Sequence, residues 1–417
     1  MGASEPDGRR WTSPVIDIDQ HYYEADDCCT RHVERRFADR VPRPVATGNG
    51  AREWRAGGRT IGFERWVRDV TLAPGAMFDR RSGGGPAAPL ALVPTDTPEF
   101  RDRTTRLRLL DQWGIDAAVM LPTAGLAWDA ELTHEPETAA AAMRAFNRWV
   151  EDDWGFAYEG RLFAPPFISL LDVDAAVAEL ERVLAAGARM ILVRKGPVGG
   201  LSPAHPRFDP FWARVNEARI PVGLHISVSG YERMMSAAWG EDPDASHRTF
   251  SGLQWYLSFA TRPVTDTIAA MIFHNLFGRF PNLRIFSIEN GSLWVEPFLR
   301  DIDVAHGFVD DPARGAKWIG GFVAERPSEI FRRHIVIAPY LSPGFDAEVS
   351  DLVDLLGPEQ VVFGSDWPHG EGRATPVDYL PDFTPLAEDA RHAVVYGNAA
   401  SALGLAAPSG QSATRAR

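Results

Sequence analysis

From Thr104 onward the chain alternates between two hydrophobic periods. Helical spacing predicts a helix over Thr104 to Trp113, and the continuous apolar run Ile115 to Leu121 that follows reads as a strand ending at Pro122 and Thr123. The unit then repeats. A helix through Ala139 to Trp154 precedes the strand Leu162 to Leu170, one over Val173 to Ala186 precedes Ala188 to Val193, and one over Phe208 to Ala218 precedes Ile220 to Ile226. Further on come a helix over Val264 to Phe280, the strand Leu283 to Ile288, a helical region from Leu293, the strands His334 to Ala338 and Val361 to Phe363, and a last helix within Ala387 to Leu403. With the strand that starts at Val15, about eight apolar strands alternate with helices, the number that closes a (β/α)8 TIM barrel. An open doubly wound sheet is the alternative, but no Gly-rich first turn of a dinucleotide fold supports it.

The first strand differs from the others. Val15-Ile16-Asp17-Ile18-Asp19-Gln20-His21 starts apolar and runs into alternating carboxylates and a histidine. Period-two geometry puts Asp17, Asp19 and His21 on one side and Ile16, Ile18 and Gln20 on the other. Taken alone, such a stretch reads either as half of a divalent-metal site or as a polar strand end that caps a sheet. After it, Asp26 to Pro98 carries Gly and Pro clusters and few periodic runs, so it reads as a long insertion in the barrel, a lid or pocket wall that sets substrate choice. Its Arg52, Trp54, Arg65 and Trp66 line a pocket or, more simply, pack a loop.

Composition narrows the function classes. Hydrophobic residues make up 45% of 417 and charged residues 24%, enough to bury one large core, so residues 1–407 are read as a single barrel domain. The Ser-, Gly- and Arg-containing stretch 408–417 is read as a disordered tail. A formal net charge of -13 and the lack of any Lys/Arg run argue against nucleic acid and leave a small-molecule substrate as the expected partner. No apolar stretch approaches a membrane span or a signal peptide, and the two adjacent cysteines, Cys28 and Cys29, make a poor disulfide; a cytoplasmic location is expected.

If the barrel closes, its strand ends meet on one rim. That rim collects Asp19 and His21, Arg194, His225, Glu289 and Asp366. Two imidazoles and two carboxylates suit one divalent transition metal, Zn or Mn, with positions left for water or substrate. Arg194, beside Lys195, has the planar geometry to clamp a substrate carboxylate, or else forms an ion pair. His369 either binds substrate or supports Asp366, and Glu24 lies where it can orient a ligand from behind. His274 reads as a packed mid-helix residue, and Trp255, Tyr256 and Phe259 as core rather than as a stacking platform for an aromatic substrate.

These residues bring a resemblance with them. Val-Ile-Asp-Ile-Asp-Gln-His-Tyr-Tyr-Glu (15–24), Phe-Gly-Arg-Phe-Pro-Asn-Leu-Arg-Ile-Phe-Ser-Ile-Glu-Asn-Gly (277–291) and Val-Val-Phe-Gly-Ser-Asp-Trp-Pro-His-Gly-Glu-Gly (361–372) resemble the amidohydrolase superfamily, in its branch of aminocarboxymuconate-semialdehyde and γ-resorcylate decarboxylases. The resemblance runs in order from Val15 to about Leu405, with the insertion unmatched. It implies one metal in a distorted barrel, held by Asp19, His21, His225 and Asp366. Asp19 stands where the family has His or Glu, and the added oxygen ligand tilts the expectation from Zn towards Mn. Glu289 stands where the decarboxylases have an acid/base histidine, a role a carboxyl takes if burial raises its pKa.

Asp366, Glu289 and His225 are therefore expected to carry catalysis. The expected reaction is either hydrolysis or non-oxidative decarboxylation, next to a carboxyl or carbonyl group of a small substrate, aromatic ones included. A homodimer is expected because related barrels often pair. The rival class is a barrel that keeps its metal but serves only as a binding or scaffold protein. A nicotinamide-dependent oxidoreductase lacks its glycine fingerprint.

Overall fold

The structure is a computed structural model, and it describes residues 11, 13–48, 51–61, 69–82, 89–245, 249–258, 261–311, 317–339 and 346–405. The predicted tail, together with Arg65, Trp66 and Phe259, lies outside the described residues. Seven short barrel strands follow in order: Ile16–Tyr22, Ala117–Pro122, Leu162–Phe163, Ile191–Leu192, Val222–His225, Ile285–Ile288 and Ile335–Ala338. The first three pair in parallel, and so do the last four.

Single bridges turn these two sheets into one ring. Phe167 bridges Leu192, Ile337 bridges Val361, and Gln20 bridges Trp367. The extended segment 361–367 thus takes the eighth position, with Val362 donating to Ile337 and the first strand donating from Ile18 to Phe363 and from His21 to Trp367. The fold is a distorted (β/α)8 barrel with a long insertion after its first strand.

The strands are shorter than periodicity predicts, and the third shows why. Pro165 and Pro166 follow Phe163 with no N–H to offer, so the ladder stops there and resumes as a bridge at Phe167. Asn147, buried on the helix Pro136–Asp153, stands in for the lost neighbour by accepting from the Phe167 N–H (2.8 Å) and donating to its carbonyl (3.0 Å). The helices otherwise begin and end close to their predicted positions, for physical reasons the sequence carries: Asp102 caps the Thr105 N–H (2.7 Å), and Gly114 ends that helix with φ 76°.

Two expectations change. The helix read over Val264 to Phe280 breaks at His274, because Asn275 adopts a left-handed φ of 51°, so His274 is at a turn rather than mid-helix. Trp255 and Tyr256 are not core: on a helix Gly252–Ser258 that packs against Tyr231–Ala238, they are 39% and 72% exposed. No helix among the described residues is long and apolar enough to cross a membrane, and both cysteines are buried and free.

The insertion has regular structure of its own. Arg43–Ala46, Arg52–Ala56 and Arg59–Thr60 form an antiparallel sheet, and Val70–Leu72 pairs with Leu92–Pro94. Arg52 pairs with Asp26 and Asp69, and Trp54 packs on Trp128, so both are packing residues. Thr71 accepts from Tyr23 Oη (2.8 Å) and Met77 donates its N–H to Gly370 (2.7 Å), which fixes this arm on the barrel rim.

Beneath the rim, the fully buried Arg106 donates to Gln20 Oε1 (3.1 Å), the His21 carbonyl (2.8 Å) and the Glu99 carbonyl (2.8 Å), and it stacks on Trp367. Burial pulls its pKa down to about 9, which still leaves it charged at neutral pH. Arg106→Ala would strand those buried acceptors, and urea denaturation is expected to show a loss of about 3–5 kcal/mol; a loss below about 1 kcal/mol would mean the barrel closes without it.

Candidate metal centre

The site begins at the C-terminal end of the first strand, whose register shifts between Asp17 and Gln20. That irregularity breaks the strict alternation expected of Asp17, Asp19 and His21. Gln20 bonds Asp17 (2.8 Å), and Asp17 turns to Ser365, while Asp19 and His21 face the barrel mouth. The approach is close: a Cβ on Gly364 would lie 2.7 Å from Asp19 Cβ, so only glycine fits there.

Both imidazoles are oriented from behind. His21 Nδ1 bonds the Pro122 carbonyl (2.9 Å) and His225 Nδ1 the Ile226 carbonyl (2.6 Å). A carbonyl only accepts, so each ring carries a proton on Nδ1 and turns its Nε2 to the mouth. His21 Nε2 lies 3.3 Å from Asp19 Oδ1, 3.5 Å from Asp366 Oδ1 and 4.0 Å from Glu289 Oε2. His225 Nε2 lies 3.1 Å from Glu289 Oε2 and 3.4 Å from Asp19 Oδ1. Ligand atoms of Asp19, His21, His225 and Glu289 all fall within 4.8 Å of one another, and those of His21, Asp366 and His369 form a second such group through the shared imidazole.

Glu289 and Asp366 sit just past their strands with φ of 58° and 59°, a left-handed backbone that costs a non-glycine residue about 1–3 kcal/mol. The bend turns both carboxyls into the mouth. Asp366 Oδ1 bonds His369 Nδ1 (2.6 Å), whereas its Oδ2 is buried without a hydrogen-bond partner, as is His21 Nε2. His369 in turn touches Thr123 Oγ1 (3.3 Å) and lies 4.2 Å, ring to ring, from His21. His369 is thus in direct contact with Asp366, the contact that the supporting role requires.

The electrostatics call for a cation. Burial, followed by the neighbouring carboxylates Glu289 and Asp19, pushes the Asp366 carboxyl well above its ordinary range, and burial also raises Glu289. Burial works against charge on His225, but its Nε2–H donating to the Asp19 and Glu289 carboxylates outweighs it and holds the ring up at about 10, the state a bound cation would displace. Burial and the nearby His369 press His21 down to about 3. Three carboxyls, two of them buried and Glu289 partly so, thus crowd two imidazoles of which only His225 is held charged. Orphaned Nε2 and Oδ2 atoms and a mixed imidazole and carboxylate donor set fit a divalent transition cation.

The remaining candidates are placed differently. Arg194 is engaged elsewhere: its guanidinium meets the Asp129 carboxylate (3.4 Å) and donates to Thr133 Oγ1 (2.8 Å) and the Pro197 carbonyl (2.9 Å). Glu24 touches no metal-facing side chain; it accepts the N–H groups of Thr123, Ala124 and Gly125 and so shapes the loop that meets His369. The residue that sequence reading passed over is Lys195. Buried beside Arg194, it lines a narrow cleft with Leu126, Phe167, Arg194, His225 and Val228.

Comparison with known proteins follows the same outline. A family model described as amidohydrolase matches residues 16–405. A crystal structure of an amidohydrolase from Mycobacterium avium subsp. paratuberculosis superposes with a TM-score of 0.82 at 34% identity, covering 94% of this chain and all of that one. The γ-resorcylate decarboxylase of Rhodococcus jostii is 26% identical over 282 residues, 63% of this chain and 76% of its own. A dihydroxybenzoic acid decarboxylase from a Polaromonas species, solved with bound manganese and the inhibitor 2-nitroresorcinol, shares the fold at a TM-score of 0.55 and 16% identity, covering 94% of this chain and 97% of its own.

Elemental analysis tests the site directly. Protein purified without chelator is expected to hold about one Mn or Zn per chain, and His225→Ala and Asp366→Asn to lose most of it with unchanged circular dichroism. Full metal content in both variants would show that the cation sits elsewhere.

Proposed function

Because the chain belongs to the amidohydrolase family, and is an enzyme of its metal-dependent kind, we propose that it removes CO2 without oxidation from a small aromatic acid, with manganese as its cation. The observation that carries this reading is the pair of imidazoles, each oriented from behind by a carbonyl, whose Nε2 atoms face carboxyl groups at the C-terminal mouth of the barrel. In this reading Asp19, His21, His225 and Asp366 hold the cation. When bound, the metal supplies Lewis-acid charge that fixes a carboxylate and an adjacent oxygen and withdraws electron density.

The other steps belong to side chains of this chain. Glu289, whose pKa burial raises, faces the mouth and is the group placed to give a proton to the ring carbon. As that C–H bond forms, the C–C bond to the carboxylate breaks; its electron pair stays with the ring, CO2 leaves, and Glu289 is left ionised beside His225. Asp366 and His369, joined at 2.6 Å, keep the cation's last ligand in place. The named activities of the Rhodococcus and Polaromonas proteins support the substrate class and the metal.

The Asp366–His369 pair also favours a second reading, hydrolysis, because a carboxylate bonded to an imidazole can take a proton from attacking water. A homodimer working in the cytoplasm belongs to the same proposal, and sedimentation and cell fractionation test it.

Manganese-loaded protein supplied with 2,6-dihydroxybenzoate and related hydroxybenzoates is expected to release CO2, and chelation to abolish the release. Cleavage of aryl amides with no CO2 from any acid would decide for hydrolysis. Glu289→Gln is expected to retain its metal while kcat falls by about 10²-fold or more; loss of the metal instead would make Glu289 a ligand.

A further inference from the structure

The cleft beside His225 contains a cation that neither the metal ligands nor the proposed proton transfer uses. Lys195, at the end of the fourth strand, is 2% exposed. Among the described residues its ammonium makes one hydrogen bond, to Asn290 Oδ1 (2.9 Å). Asn290 has no freedom to turn away, because its amide nitrogen donates to the carbonyls of Leu224 (2.8 Å) and Ile288 (2.9 Å). The Oδ1 atom is therefore presented to Lys195, and two of the three ammonium N–H donors are left for something else.

A buried ammonium that is only partly bonded is costly to keep, and burial lowers its pKa to about 8 against the pull of the Glu232 and Glu289 carboxyls. Glu232 does not complete its coordination; that carboxylate takes the Ser229 N–H (3.1 Å) and hydroxyl (3.3 Å). The neighbouring guanidinium is more committed: Arg194 lies 3.4 Å from the Asp129 carboxylate and donates to Thr133 and to the Pro197 carbonyl, with only its Nε lacking a hydrogen bond.

Charge counting then gives Lys195 a task. Asp19 and Asp366 already cancel a divalent cation, so an organic anion entering the cleft needs further positive charge to offset its own desolvation. We propose that the Lys195 ammonium, held by Asn290 on the cleft wall beside His225, is the anchor for an anionic oxygen of the substrate. This rests on the aromatic-acid reading above and assigns it a binding residue on the fourth strand.

The test uses manganese-loaded protein and two probes of nearly the same shape, salicylate and its neutral counterpart salicylamide, in titration calorimetry. Lys195→Gln keeps a donor for Asn290 but removes the charge. It is expected to weaken salicylate about tenfold or more, as loss of a charge-assisted bond does, and to change salicylamide less than about twofold. Lys195→Arg, which restores charge, is expected to recover most of the difference, and metal content and circular dichroism are read on every variant. Should the Gln variant fail to fold, Asn290→Ser, which frees the ammonium from its guide, is expected to weaken salicylate selectively in the same way.

Equal weakening of both probes, an unchanged salicylate affinity, or no salicylate binding by the wild type would overturn the assignment. Absence of CO2 release from the wild type alongside an intact salicylate difference would refute the carboxy-lyase reading and leave the anchor standing.

Discussion

The barrel's closure rests on one buried contact between the two ends of the chain. Ser365 gives both its N–H (3.0 Å) and its hydroxyl (2.6 Å) to the Asp17 carboxyl, and Gln20 adds a third bond (2.8 Å). Burial raises Asp17 to about 7, so the group is held at the edge of ionisation by its donors rather than by a cation in contact. Its position matters more than its charge. Asp17 is two residues below Asp19, and Ser365 one below Asp366, so this clasp sets the register in which the first and last strands deliver their carboxyls to the same mouth. Arg106 reaches the clasp from outside through Gln20, and the closing segment's Trp367 packs on its guanidinium.

With that register fixed, the mouth becomes electrostatically overloaded. Asp19, Glu289 and Asp366 converge on two imidazoles, and two of the three carboxyls sit on left-handed backbone. Neither feature helps the chain to fold, and a barrel selected for stability alone would replace them. Their presence together, at the strand ends, places the energetic burden of the structure where a divalent cation would relieve it. The surroundings are built to match, since each imidazole at the mouth has a main-chain carbonyl behind it and Asp366 has His369.

How much of this was legible in the sequence depends on what each element relies on. The barrel is visible because strands buried on both faces must be continuous apolar runs, and the site is visible because those runs end abruptly in His, Glu and Asp. Strand lengths were not legible, since Pro165-Pro166 interrupts the third ladder without interrupting hydrophobicity. The insertion's sheets were hidden for the opposite reason: Arg43–Ala46 carries one charge before three apolar residues and Arg52–Ala56 three charges in five, too short and irregular a pattern to read as strands. Trp255 and Tyr256 read as core because aromatic content says nothing about which face a helix turns outward. At the fourth strand the sequence offered Arg194 and Lys195 together, and guanidinium geometry favoured the first. The deciding fact was the carboxylate of Asp129, which lies on a different βα loop and leaves no trace in the local sequence.

The same arrangement separates what the ring does from what the insertion does. Asp19, His21, His225, Glu289 and Asp366 all come from strand ends, so their mutual distances follow from the barrel's closure and are independent of the arm between Asp26 and Pro98. The arm meets the rim on two sides, at Tyr23 through Thr71 and at Gly370 through Met77. These points lie two residues after His21 and one after His369, flanking the mouth without entering the ligand set. A shift of the arm would therefore move first the His369 loop and the entrance, and only through Asp366 the metal-facing atoms. Ligand geometry and access to the site are in this way held by different hydrogen bonds, which lets a chain of this kind vary its entrance while the barrel keeps its centre.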